Sequence, residues 1–296
     1  MQISVIIPAY NEEAYLPHLL EDLKAQTFRD FEVIVADAGS SDRTRDLASQ
    51  LGAKVVDGGL PGPGRNRGAE KARGEFFFFI DSDIRLETDF LEKAREEIES
   101  RFLDLATCEF IPLSDLLIDK VLHETANLYI KINQYSNPHA GGFCLIISRR
   151  LFRRIGGFDE TLKLAEDHDL VKRAGQYRPL RVLGNVKVKI SVRRFDSEGR
   201  IALSKKYLAV EAYRWFNGDL KKQVVDYQFG NFKAANQAKW EKNLLKLDRK
   251  LSGLNEQINL LKDNFSPENF QAQIKLINRN FTKTLDKLKA FIPPLE

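Results

Sequence analysis

The stretch EFFFFIDSDI, residues 75–84, runs from four phenylalanines and an isoleucine directly into two aspartates, Asp81 and Asp83. A short continuous apolar run is typical of a strand that is buried on both faces. Two anions one residue apart repel each other, and the repulsion costs more beside an apolar core, where screening is weak. We therefore expect a cation to compensate the charge of these two carboxylates.

Apolar runs and helical patterns alternate over the first hundred residues. Strands separated by crossover helices predict a mostly parallel sheet that is covered on both sides, and the ligands of such sheets bind beyond the carboxyl ends of the strands. Tyr10, Asp37, Asp81 and Asp83 all follow predicted strands at that edge. The predicted strands are ISVIIPA (3–9), FEVIVAD (31–37), AKVVD (53–57) and EFFFFI (75–80).

The rest of the chain is less regular. A helix is predicted over 114–133, a strand over 141–148, and two short helices around a Gly-Gly turn in the next thirty residues. Residues 201–238 predict a basic, aromatic helical extension. Residues 239–296 carry two heptad seams around a short turn, which predict an antiparallel helical hairpin and a coiled coil. The hairpin could pack on the body of the protein, on a second copy in a homo-oligomer, or on a membrane protein.

Composition excludes several classes of protein. With 43% hydrophobic and 30% charged residues the chain has a normal globular composition, and a net charge of +4 gives no argument for nucleic acid. Cys108 and Cys144 are too few for a disulfide framework. The sequence shows neither a signal peptide nor an apolar run of membrane-spanning length. We expect a cytoplasmic protein, with peripheral contact at the inner membrane face left open.

Asp81 and Asp83 are the candidate metal ligands. A hard divalent cation prefers carboxylate oxygens and keeps other positions for water and substrate phosphates. The alternative is that both aspartates cap the next helix or lie solvated in a loop. The preceding buried strand and the polar ends of the neighbouring strands favour the metal site.

Two further motifs carry charged side chains. In GPGRNRG (62–68) the glycine spacing is a poor match to a dinucleotide-binding turn, but Arg65 near a helix start suits an anionic or nucleotide ligand. The alternative is a surface arginine. In LAEDHDL (164–170) one of the carboxylates Glu166, Asp167 and Asp169 could act as a general base supported by the others. A solvated acidic first turn is the alternative there, and His168 alone does not indicate a metal ligand.

The order of these motifs resembles glycosyltransferase family 2. The resemblance rests on SVIIPAYNEEAYL, VIVADAGSSDRT, GPGRNRGAEKARGEFFFFIDSD, IGGFDETLKLAEDHDL and SVRRF, and it covers about residues 2–195. It implies an α/β GT-A fold, Rossmann-like, with the C-terminal helices as an extension. It also implies one catalytic domain over 1–200, with a nucleotide-sugar half at about 1–110 and an acceptor half at about 111–200.

The resemblance also implies roles for individual residues. Asp37 would contact the base or hold its pocket together, Asp81 and Asp83 would bind Mn²⁺ or Mg²⁺, and Asp167 would be the general base with Glu166 beside it. Arg193 and Arg194 would close over the donor diphosphate, in a segment where Phe195 replaces a tryptophan. The other implied donor-binding residues are Pro8, Ala9, Tyr10, Glu12, Arg65, Asp81 and Ser82, and the implied acceptor-binding residues are His139, Gly141 and Gly142.

The function implied is a metal-dependent, inverting hexosyltransferase of the non-processive type. It would move one sugar from a UDP- or GDP-type donor to a hydroxyl of a glycan or a lipid-linked, cell-envelope acceptor. Ala38 stands where relatives often have a second aspartate, which weakens the case for uracil recognition. The alternative function is a non-catalytic nucleotide-sugar-binding or assembly protein that uses the C-terminal hairpin. A sugar nucleotidyltransferase is disfavoured, because PAYNEE (8–13) replaces its Gly-rich loop.

Overall fold

The computed structural model describes residues 2–162, 164–200 and Leu203. The predicted helical extension (201–238) and helical hairpin (239–296) therefore lie outside the described residues, Leu203 apart. The strands are β1 Ile3–Ala9, β2 Phe31–Asp37, β3 Lys54–Asp57, β4 Phe76–Ile80, β5 Ile84–Arg85, β6 Leu105–Pro112, β7 Cys144–Ser148 and β8 Arg181–Ile190. The helices are α1 Leu16–Lys24, α2 Thr44–Gln50, α3 Gly62–Lys71, α4 Phe90–Ser100, α5 Leu117–Asn133, α6 Arg149–Arg154, α7 Glu166–Gly175 and α8 Arg193–Glu198.

All of these strands form one mixed sheet in the order β3-β2-β1-β4-β7-β6-β8-β5. The pairs β3–β2, β2–β1, β1–β4 and β6–β8 are parallel, whereas β7 runs antiparallel to both of its neighbours and β5 runs antiparallel to β8. The prediction of a mostly parallel sheet in an α/β fold is confirmed.

The reversed strand β7 determines which loops meet. Because β7 is antiparallel to β4, its first residues lie at the sheet edge where β4 ends. Strands β6 and β8 run in the direction of β4, so the end of β8 and the start of α8 reach the same edge. Segments that are far apart along the chain, around residues 10, 37, 81, 142 and 193, therefore converge there.

The phenylalanine run forms the centre of the sheet, as predicted. Phe78 and Ile80 point into the core on one face, and Phe77 and Phe79 point into the core on the other, where Phe79 packs edge-on against Phe158 at 5.0 Å between ring centroids. Burial on both faces explains why β4 shows no polar alternation. A strand held in this way is a rigid support for the two aspartates that follow it.

Phe78→Ala is expected to lower the free energy of unfolding by about 3–5 kcal/mol, because the truncation leaves a cavity in a close-packed core. Phe78 is 1% exposed. Phe102→Ala is the matched control, since Phe102 is 92% exposed and its truncation should change stability by less than about 0.5 kcal/mol. Urea unfolding followed by circular dichroism measures both. Equal losses in the two variants would contradict this account of the core.

Candidate active site

Asp81 and Asp83 lie directly after β4, at the edge where the loops converge, and each is paired with a different arginine. Arg65 Nη2 donates to Asp81 Oδ1 at 2.8 Å, and Arg193 Nε lies 3.0 Å from Asp83 Oδ2. Burial raises the pKa of Asp83, and the charge of Asp81 raises it further against the opposing effect of Arg193. The repulsion that the sequence predicted is therefore present. Ser82 between them is buried, so its side chain is less available to a ligand.

Arg65, in the first turn of α3, connects two of the predicted motifs. Its Nη1 donates to Glu166 Oε1 at 2.6 Å while its Nη2 donates to Asp81. Arg65 is 3% exposed, so the alternative of a surface arginine is wrong for this residue. Burial alone would lower the pKa of Arg65, but the charges of Asp81 and Glu166 outweigh that effect and raise it. Its guanidinium binds two carboxylates of the protein, whereas the sequence predicted an anionic ligand there.

Glu166 and Asp167 begin α7, where the positive end of the helix dipole favours anions. Glu166 is buried against Arg65, and burial raises its pKa, with a further contribution from Asp167. The side chain of Asp167 is 15% exposed, and its Oδ1 accepts the backbone N–H of His168 at 2.8 Å. The solvated first turn is thus wrong for Glu166. Asp167 remains the more accessible carboxylate of the pair.

Asp169, in the same turn of α7, has a different environment. Its Oδ2 accepts from Arg173 Nη2 at 2.6 Å, and Arg173 also donates to the carbonyls of Ile155 and Gly157. This carboxylate therefore supports the loop that leads from α6 to α7. Of the three acidic residues here, Asp169 has a structural explanation that needs no ligand.

Arg193, the first residue of α8, reaches across to the end of β1. Its Nη1 and Nη2 donate to Glu12 Oε2 and Oε1 at 2.8 and 2.6 Å, and its guanidinium lies 4.3 Å from the ring centroid of Tyr15. Burial raises the pKa of Glu12, against the opposing effect of Arg193. Arg194 is half-buried beside it. The position of Tyr15 beside this guanidinium could not be predicted from the sequence, because Arg193 is remote in the chain.

Three predicted acceptor-side residues precede β7. Gly142 O accepts from Arg65 Nη2 at 3.4 Å, and a Cβ at Gly142 would overlap the Arg65 guanidinium, so the absence of a side chain there lets Arg65 pass. Gly141 lies beside it. His139 is buried between Tyr129, at 4.8 Å, and His168, at 5.3 Å between ring centroids. The structure therefore brings His139 next to the start of α7.

The ends of β1 and β2 carry the remaining predicted donor residues. Pro8 and Tyr10 are half-buried and Ala9 is buried. Asp37 is buried in its own loop, where Oδ2 accepts the backbone N–H groups of Gly39 and Ser40, both at 3.1 Å, and lies 3.2 Å from Arg45 Nη1. These contacts favour the second of its predicted roles, that of holding the pocket together.

The candidate metal site can be compared with the ligands that divalent cations use in proteins. Among the residues that the structure describes, no cluster of three or more His, Cys, Asp or Glu side chains could hold a metal ion. Magnesium-type sites commonly use one or two carboxylates and take the remaining oxygens from substrate phosphates and water. The pair Asp81 and Asp83 fits that pattern. Its two carboxylates offer hard oxygen ligands, and a bound cation would offset the repulsion between their negative charges.

The family model for glycosyl transferase family 2 matches residues 4–156, just over half of the chain. The chain belongs to glycosyl transferase family 2. The predicted family and its GT-A fold are confirmed, and the matched residues include β1 apart from Ile3, all of β4 and both aspartates of the candidate metal site. No helix among the described residues combines the length and the hydropathy needed to cross a membrane.

Two curated relatives illustrate the range of this family. The chain is 28% identical over 188 residues to the uncharacterized glycosyltransferase EpsJ of Bacillus subtilis, covering 56% of this chain and 53% of that protein. It is 36% identical over 115 residues to the poly(ribitol-phosphate) beta-N-acetylglucosaminyltransferase TarS of Staphylococcus aureus, covering 36% of this chain and 20% of that protein. The chain thus spans about half of the length of EpsJ and a fifth of TarS.

Two solved structures share the fold. S. aureus TarS 1-349 in complex with UDP-GlcNAc has a TM-score of 0.52 at 25% identity, covering 64% of this chain and 58% of that one. The mannosyltransferase PcManGT from Pyrobaculum calidifontis, in complex with GDP-Man and Mn²⁺, has a TM-score of 0.55 at 16% identity, covering 96% of this chain and 80% of that one. At that identity the second likeness shows the fold alone.

Proposed function

We propose that this chain is a metal-dependent, inverting glycosyltransferase that moves one hexose from a nucleotide-sugar donor to an acceptor hydroxyl. The observation that carries the proposal is the position of Arg65, which bridges Asp81 on the donor side and Glu166 beside the candidate base Asp167. An enzyme of this class needs charge stabilisation and a base at the two sides of one anomeric carbon. The bridge holds groups suited to both tasks at one edge of the sheet.

On the donor side, Asp81 and Asp83 would hold Mn²⁺ or Mg²⁺. The cation would offset the negative charge that develops on the departing diphosphate. Arg193 and Arg194 would supply fixed positive charge to the same group, and an arginine fork suits phosphate oxygens. Pro8, Ala9, Tyr10 and the loop stiffened by Asp37 would hold the nucleoside. UDP-GlcNAc in the TarS complex supports a donor of the nucleoside diphosphate class.

On the acceptor side, Asp167 would take the proton from the attacking hydroxyl. Its side chain is partly accessible, whereas Glu166 is buried and engaged by Arg65, and so Asp167 is the better placed of the two. His139, Gly141 and Gly142 would border the acceptor. Attack from the face opposite to the leaving diphosphate inverts the anomeric configuration. A glycan or a lipid-linked acceptor is proposed, and it would bind beside these residues at the edge of the sheet.

The test is a thermal-shift series with UDP-, GDP- and dTDP-linked sugars, each with Mn²⁺, with Mg²⁺ and with EDTA. A ligand at about a hundred times its Kd stabilises the folded state by about 2.7 kcal/mol. We expect one nucleotide class to raise Tm only when the metal is present, and Asp83→Ala to remove this shift.

Asp46→Ala is the matched control, because Asp46 is exposed on α2. It should respond to the nucleotide and the metal as the wild type does. If no nucleotide shifts Tm of the folded wild type, the donor assignment is wrong and the non-catalytic alternative is favoured. If the shift survives in EDTA and in Asp83→Ala, the metal site is wrong.

A further inference from the structure

One guanidinium, that of Arg193, contacts both the predicted donor pocket and the candidate metal site. Its two terminal nitrogens form a bidentate pair with Glu12, and its Nε forms a third contact, with Asp83, at 3.0 Å. A planar fork can satisfy a carboxylate with two parallel hydrogen bonds and still present Nε to a second acceptor. Arg193 therefore already neutralises one of the two carboxylates that a divalent cation would use.

The three contacts are not equivalent. Glu12 accepts two hydrogen bonds from Arg193 and its side chain is 7% exposed, whereas Asp83 Oδ2 lies 3.0 Å from Arg193 Nε and the Asp83 side chain is 21% exposed. The ring of Tyr15 also supports the guanidinium from one side. Loss of the Asp83 contact would thus leave Arg193 attached to Glu12, close to its present position.

The segment that directly follows helix α8 is anchored as well. Arg200 Nε and Nη2 donate to the two carboxylate oxygens of Asp119 on α5, at 2.7 and 2.8 Å, and Asp119 is fully buried. Arg200 also pairs with Asp196 within its own segment at 2.9 Å. Because contacts hold the start of α8 and the residues that follow it, we expect exchange of the partner of Asp83 to involve the Arg193 side chain rather than the helix.

We propose that Arg193 is an exchangeable counter-ion that competes with the divalent cation for Asp83 and remains on Glu12 when the cation takes that carboxylate. This inference rests on the proposed function. Without a cation, the positive charge of Arg193 reduces the repulsion between Asp81 and Asp83. Because a cation must displace this contact, it binds more weakly in the absence of a nucleotide. The exchange also leaves a positive charge beside the metal site, where a donor diphosphate would lie.

The experiment is isothermal titration of the full-length chain with MnCl₂ alone, without nucleotide. Arg193→Gln should bind Mn²⁺ roughly tenfold more tightly than the wild type, a coupling of ordinary size between two ligands of one site. Arg194→Gln is the matched control, because Arg194 acts on Asp83 through its charge without being the Nε donor. It removes the same charge and should change the affinity by less than about threefold, since the charge of Arg194 acts on Asp83 more weakly than that of Arg193.

Asp83→Asn shows whether Mn²⁺ binds at Asp83, and it distinguishes failure of the metal site from failure of the competition. If Asp83→Asn weakens Mn²⁺ binding while Arg193→Gln binds as the wild type does, the metal site stands and the competition is wrong. Equal tightening in Arg193→Gln and Arg194→Gln would also overturn it, because the effect would then be one of net charge. If Asp83→Asn leaves the affinity for Mn²⁺ unchanged both in the wild type and in Arg193→Gln, the cation does not bind at Asp83. Both the metal site and the competition are then wrong.

Arg193→Lys guards against a folding defect in Arg193→Gln. An ammonium cannot hold Glu12 through a planar fork and reach Asp83 at the same time. The lysine variant should therefore bind Mn²⁺ with an affinity between those of the wild type and Arg193→Gln. An affinity at or below that of the wild type would contradict the competition.

Discussion

Arg65→Met is expected to lower the free energy of unfolding by about 3–5 kcal/mol, the usual range when one partner of a buried ion pair is removed. The variant keeps most of the side-chain volume but leaves Glu166 without the donor that lies 2.6 Å from its Oε1. Asp81 loses its pair too, but it is 37% exposed and can be solvated. Urea unfolding measures the loss.

Arg67→Met is the matched control, because Arg67 lies on the same helix and is exposed, with a hydrogen bond to Gly58 O at 2.8 Å. Its loss of stability should stay below about 1 kcal/mol. Glu166→Gln in the Arg65→Met background should restore part of the stability, since it removes the stranded charge. If the losses of stability in Arg65→Met and Glu166→Gln simply add in the double variant, direct pairing of Arg65 with Glu166 is contradicted.

The stability of Arg65→Met should also depend on pH in a definite direction. Burial raises the pKa of Glu166, and Arg65 opposes that shift in the wild type. Without Arg65, the folded state should hold a proton on Glu166 at pH values where the unfolded state has already lost it. A folded state that binds more protons loses stability as pH rises through that interval. The destabilisation should therefore be largest at neutral pH and should decrease towards acid pH.

Asp167→Asn is expected to reduce the rate of sugar transfer by about 10²–10⁴-fold, the usual contribution of a general base. Donor affinity should change little, because Asp167 is proposed to act on the acceptor hydroxyl. The measurement is kcat from product formation, together with the Kd of the nucleotide from titration, once the donor class is known. Unchanged kcat in a folded Asp167→Asn variant would rule out this residue as the base.

Asp169→Asn is the control for Asp167→Asn. Asp169 lies two residues further along α7 and is bound to Arg173 at 2.6 Å. We expect it to lower stability modestly while kcat stays within a few-fold of the wild type. Equal losses of kcat in the two variants would mean that the rate depends on the integrity of α7 rather than on the carboxylate of Asp167.

Local patterns were enough to predict much of the fold. The phenylalanine run predicted the buried strand β4, and the alternation of strands and helices predicted the parallel part of the sheet. Helix periodicity placed α5 within three residues of its observed start. These features depend on residues that are neighbours in sequence, and so a pattern read along the chain contains the necessary information.

The partners of the charged residues could not be read in the same way. Arg65 is 101 residues from Glu166, and Arg193 is 181 residues from Glu12. The motifs predicted that each arginine would contact the nucleotide-sugar donor. The residues around each arginine do not show that its guanidinium will bind carboxylates of the same chain. Those contacts depend on which loops the sheet brings together.

By itself, the sequence determined the buried strand and the two aspartates that follow it, since these depend on spacing over short stretches, and the order of its motifs was enough for the resemblance to the family. The tertiary structure alone decided that Arg65 joins Asp81 to Glu166 and that Arg193 joins Asp83 to Glu12. The physical reason is the direction of β7. One reversed strand brings Gly142 to the end of β4, and with the following strands it directs Arg193 to the same edge.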